Sequence, residues 1–73
     1  MKLTIENTTQ IVELNGVPAR VWEGQTESGI KVHCFVTRIS VNEDDGMEVH
    51  EKFRKELSEC KKPSVVFPLK MVL

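Results

Sequence analysis

Seventy-three residues make one domain, and a chain of this size hides only about 60% of the surface its unfolded form exposes, so any core is thin. With 40% hydrophobic and 29% charged residues the composition is that of an ordinary globular protein, which excludes a chain too polar to fold. Ten Lys and Arg set against eleven Asp and Glu leave a formal charge of -1, which excludes the overall basic field that gathers nucleic acid.

The chain opens on strand-like sequence. Residues 2 to 6, KLTIE, alternate apolar and polar as a half-buried strand does, and Asn7-Thr8-Thr9 interrupts them. QIVEL-NG-VPARVWE follows, with Asn15-Gly16 between two β-rich runs, the strongest short hairpin signal a sequence offers. That turn pairs Leu14 with Val17, Val12 with Ala19 and Ile11 with Arg20. A second reversal falls at TESG, residues 26 to 29, where Gly29 supplies a conformation closed to other residues. A loop of Thr26 to Gly29 returns IKVHCFVTRISV antiparallel, with Val21 opposite Cys34 and Trp22 opposite His33. A slip of one residue there exchanges the two sides of the returning strand.

The next element is a helix. Asn42 is its expected cap, Glu43, Asp44 and Asp45 put negative charge at its start, and Gly46 blurs the first residue. Met47, His50, Phe53, Leu57 and Cys60 recur every three or four positions and draw one apolar stripe. Lys61 and Lys62 suit its C-terminal end, and Pro63 stops it. In SVVFPLKMVL, Val65, Phe67, Leu69, Met71 and Leu73 share one side, and Pro68 confines the segment to the edge of a sheet. The expected fold is therefore α+β: an antiparallel β-meander with one helix on one face and a C-terminal edge strand, a single two-layer domain over residues 1–73.

These registers collect Val12, Leu14, Val17, Ala19, Val21, Ile30, Val32, Cys34 and Val36 on one side, which the helix is expected to cover. Ile11, Glu13, Arg20, Trp22, Lys31, His33 and Phe35 fall on the other. That mixture of cations and aromatics suits neither a core nor a plain solvated face. Arg and exposed aromatics carry most of the energy at protein interfaces, so this side is the candidate contact surface, with a Glu13–Arg20 pair and a shielding Trp22 as the alternative. Arg20, Trp22, His33 and Phe35 form its expected centre, and Lys31 and Arg38 its rim. Trp22 or Phe35 stacking on a base, with Arg20, Lys31 or Arg38 on phosphate, makes a small nucleotide the second choice of ligand. An extended nucleic acid ranks below it, because the helix starts acidic and no RNA-binding signature is present.

Enzyme chemistry finds little support. His33 and Cys34 are adjacent in a strand, so their side chains diverge, and His50 and Cys60 lie too far apart along a helix to meet. No Gly-rich loop precedes a helix, and GQTESG lacks the lysine of a phosphate-binding loop. The Glu43-Asp44-Asp45 run lacks the alternate-position ligands of a calcium loop. Neither metal nor cofactor is expected, and Cys34 and Cys60 are expected as reduced, partly buried thiols. No signal peptide and no membrane span is evident, so the expected location is the cytoplasm.

ELNGVPARVWEG, TESGI, CFVTRI, FRKELSEC and PLKMVL resemble a group of short accessory proteins of tailed bacteriophages and prophages, over nearly the whole chain. Those stretches are structural phrases rather than catalytic motifs, and no functional residue carries over. The resemblance implies a host bacterial cytoplasm and a phage or mobile-element gene. It also favours a protein that acts by occupying a host or phage macromolecule, with inhibition of a bacterial antiviral defence as one such role. A nucleotide-sequestering oligomer is one alternative, and a structural homo-oligomer or minor virion component is another. Self-association as a homodimer, through the aromatic side or the terminal edge strand, fits each.

Overall fold

The computed structural model describes residues 1–64. Three strands, β1 (Leu3–Leu14), β2 (Val17–Thr26) and β3 (Lys31–Val36), form an antiparallel sheet in the order β1-β2-β3, and one helix, α1 (Met47–Ser58), follows. The fold is the expected α+β meander with one helix. The terminal edge strand expected over residues 64–73 lies almost wholly outside the described residues.

Asn15 and Gly16 take φ of 50° and 82°, the left-handed pair that a primed two-residue turn requires, and Leu14 pairs with Val17 across it. Val12 opposite Ala19 and Ile11 opposite Arg20 continue that register. Beyond Ile11 the register shifts, so that Asn7 pairs with Trp22 and residues 8 to 10 bulge out of the ladder. The polar interruption at Asn7-Thr8-Thr9 is thus a bulge within one continuous strand. Thr8 is fully buried there, and its hydroxyl donates to the Val21 carbonyl at 2.7 Å and accepts from the Gln10 amide at 3.2 Å. Further along, β1 crosses Gly24 so closely that a Cβ would run into the Thr4 carbonyl and the Ile5 Cα, which leaves glycine as the residue that fits.

The second hairpin corrects the expected register. Trp22 pairs with Cys34, Val21 with Phe35 and Glu23 with His33, one residue from the pairing read off a Thr26 to Gly29 loop. The cause is Thr26, which belongs to β2. Its amide donates to the Ile30 carbonyl at 3.0 Å while its hydroxyl accepts from the Ile30 amide at 3.1 Å. The loop is therefore Glu27 to Gly29, with Gly29 at φ 90° closing it.

That slip re-sorts the sides of the sheet, because cross-strand partners share a face. Val12, Leu14, Val17, Ala19 and Val21 now share theirs with Glu23, His33 and Phe35, while Ile11, Arg20 and Trp22 share the other with Cys34 and Val36. Val12, Ala19 and Val21 are the buried core among the described residues, and half-buried Leu14 and Phe35 pack against them.

Gly46, not Asn42, occupies the N-cap of α1, and no side chain bonds there; Val49 and His50 donate to the Gly46 carbonyl instead. Asn42 closes a turn ahead of the helix by accepting from the Asp45 amide through its carbonyl. His50, Phe53 and Leu57 of the expected stripe are half-buried, but Met47 is 78% exposed and Cys60 lies past the end of the helix.

α1 does not cover the valine side. Asn7 Nδ2 donates to the Leu57 carbonyl at 2.9 Å, and Arg20 Nη1 reaches Cys60 Sγ at 3.8 Å, which holds the C-terminal half of the helix on the Arg20–Trp22 side. The chain then runs beside the bulge as one parallel bridge between Thr8 and Lys61: Lys61 N donates to the Asn7 carbonyl and Thr9 N to the Lys61 carbonyl. The bulge puts amide and carbonyl groups out of register with β2, and Lys61 satisfies them.

Candidate functional site

The six residues expected to form one contact surface divide among three places. Arg20, Trp22 and Arg38 line an open groove of about 620 Å³ between the sheet and α1. Lys31 and His33 line a second depression of about 650 Å³ with Glu23, Lys61 and Ser64. Phe35 packs on the core. The one-residue tightening of the second hairpin separates them, by putting Trp22 beside Cys34 and moving His33 to the side of Glu23.

The groove is built by four parts of the chain. Ile11 and Pro18 come from the first hairpin, Arg20 and Trp22 from the middle of β2, and Val36, Thr37, Arg38, Ile39 and Ser40 from the end of β3 and beyond. Arg54, Leu57 and Ser58 of α1 close it. Its walls are mainly aliphatic and aromatic, and its charged members among the described residues are three arginines, Arg20, Arg38 and Arg54, with no carboxylate.

Arg20 is held in place. Its Nη1 donates to the Thr8 carbonyl at 2.7 Å, so the guanidinium braces the bulge as well as facing the groove. Arg38 and Arg54 are exposed. Lys61 pairs with Glu23, and none of the three groove arginines meets a carboxylate among the described residues. Sequence reading missed Arg54, Ile39 and the role of Leu57 as a wall. The available signal was Arg54 flanking Phe53 and Leu57 on the apolar stripe, where a long side chain lies along whatever that stripe packs on.

The second depression is anchored by Glu23. Its carboxylate accepts from Lys61 Nζ at 2.6 Å, from Ser64 Oγ at 2.7 Å, and from the Ser64 amide at 3.1 and 3.2 Å to its two oxygens. The Lys61 ammonium, and after it the Ser64 hydroxyl, hold the Glu23 carboxyl at about 2, well below its ordinary 4.5. The same contact with Glu23 raises the Lys61 amine. This arrangement fastens the segment after α1 to β2, and the Glu23–Lys61 pair at its centre is spent on that fastening.

His33 and Cys34 lie on opposite sides of β3. Among the described residues no three His, Cys, Asp or Glu side chains converge as metal ligands would. Cys34 and Cys60 are both half-buried free thiols. No described helix is long and apolar enough to cross a membrane. Compared with protein-family models, curated proteins and solved structures, the chain matches none.

Proposed function

We propose that this chain is a non-enzymatic binding protein whose working surface is the groove between β2, the end of β3 and α1. One observation carries the reading: three arginines around an aromatic and aliphatic floor, with no carboxylate among the described residues that line it. Arginine and tryptophan in a half-buried setting are the residue types on which interfaces concentrate their energy. An apolar floor with a cationic rim suits a partner that presents apolar side chains flanked by acids. The resemblance to tailed-phage accessory proteins makes a host or phage protein the first partner to seek, and interference with an antiviral defence the first role to examine.

Native mass spectrometry of the protein purified gently from a bacterial host tests this. The wild type is expected to carry a protein partner in a defined ratio, and Arg38→Ala with Arg54→Ala is expected to lose it. Both residues are exposed and make no ion pair among the described residues, so the double variant should keep its far-ultraviolet circular dichroism. A complex that survives in the folded double variant removes the groove from consideration. A small mass that leaves on denaturation and absorbs as a nucleotide replaces protein binding with nucleotide sequestration.

A further inference from the structure

Among the described residues the groove has three cations and no acid, yet the whole chain carries a formal charge of -1, so its acids are concentrated elsewhere. One concentration begins just past the groove wall. Glu43, Asp44, Asp45 and Glu48 are all exposed, and none of them pairs with a cation among the described residues. Two apolar side chains stand among them: Met47 at 78% and Val49 at 45% exposure. Gly46 in their midst has open space around it. The segment therefore presents acids flanking apolar side chains, which is the chemistry the groove lacks.

We infer that the occupant of the groove is residues 43–49 of a second copy of this chain. Glu43, Asp44 and Asp45 of one copy meet Arg38 and Arg54 of the other, and Met47 seats against Trp22, a thioether on an aromatic ring. The segment does not fill its own groove, since all seven of its residues are exposed. Groove and segment are neighbours in sequence, with Ser40 on the wall and Glu43 three positions on, so two copies related by a twofold axis can each give a segment and receive one. Because the attraction is between exposed charges, the dimer is expected to weaken with salt. The inference rests on the reading of the groove as the binding surface and names its partner.

Sedimentation equilibrium of the full chain at about 0.05 M and about 0.5 M salt is the test. The wild type is expected to be a reversible dimer of 8.3 kDa chains that loosens at the higher salt. Arg38→Glu with Arg54→Glu, and separately Glu43→Lys with Asp45→Lys, are each expected to raise the dissociation constant about tenfold or more. An equimolar mixture of the two variants is expected to dimerise again, because each reversed groove then faces a reversed segment. A wild type that stays monomeric, or a dimer that neither reversal weakens, overturns the inference. Recovery in the mixture also shows that both variants are folded.

Trp22 is the chain's one tryptophan, so its emission reports on the groove alone. If the wild type is monomeric but an unrelated peptide of alternating acidic and apolar residues shifts that emission, the binding groove stands and the self-partner falls. If neither association nor a shift is seen, both fall.

Discussion

Thr8 is a polar side chain at full burial, and two hydrogen bonds through one hydroxyl are what make that tolerable. Thr8→Val keeps the shape while stripping the Val21 carbonyl of its donor and the Gln10 amide of its acceptor. A buried polar group left without a partner costs about 1–3 kcal/mol, so urea unfolding should show a loss of that size, while Thr8→Ser should lose far less. Arg20 belongs to the same knot. Composition marks it as an interface residue, yet its Nη1 is spent on the Thr8 carbonyl and on Cys60. Nothing local in PARVWEG announces that, because one partner sits on the bulge of β1 and the other just past α1, 40 positions away.

Among the elements, the first hairpin was fully legible and the second was not. Asn15-Gly16 has one good solution, a two-residue turn, and a two-residue turn fixes every pair beyond it. TESG admits loops of three or four residues, and the choice depends on whether the Thr26 hydroxyl captures the Ile30 amide. That single bond decides which side His33 and Phe35 share. The helix was legible in type but not in its bounds: Asn42 and Gly46 both suit the cap and only the backbone distinguishes them, and the helix ends at Ser58, short of the Lys61, Lys62 and Pro63 expected to close it.

The contact that fastens the segment after α1 to β2 depends on pH. The Glu23 carboxyl is held at about 2 against 4.5, so the unfolded chain takes up a proton before the folded one does as pH falls. Stability from this contact is therefore fully present above about pH 5 and is lost between there and pH 2. Denaturation of wild type and Glu23→Gln across that range should show a constant gap near neutrality that closes as the solution is acidified. Lys61 has the opposite sign: its amine is raised above 10.5, so its share is present below that pH and fades in stronger alkali. A gap that widens in acid would contradict the assignment.

Over the full chain, the meander and the helix are readable from the residues, whereas the side of the sheet that the helix takes is not. An apolar row of valines looks like the surface a helical stripe should bury, and α1 lies on the other side because Asn7 and Arg20 tie its end there. Those ties join residues some fifty positions apart, as Asn7 and Leu57 are. A groove made where they converge has no signature in any short stretch.

The Thr8–Lys61 bridge also sets a timetable. The two hairpins close over short loops, whereas the bridge can form only once both strands and the helix are in place, so it belongs after the folding barrier rather than before it. Asn7→Ala, which removes the bond to Leu57, should cost about 1 kcal/mol and speed unfolding about fivefold, with the refolding rate nearly unchanged in stopped-flow measurements. The order of assembly fixes the order of failure: the helix and the segment behind it let go first while the hairpins still hold. Since α1 supplies one wall of the groove, a partner gripping both walls would act as a brake on that release, and the lifetime of the closed form would become a measure of occupancy.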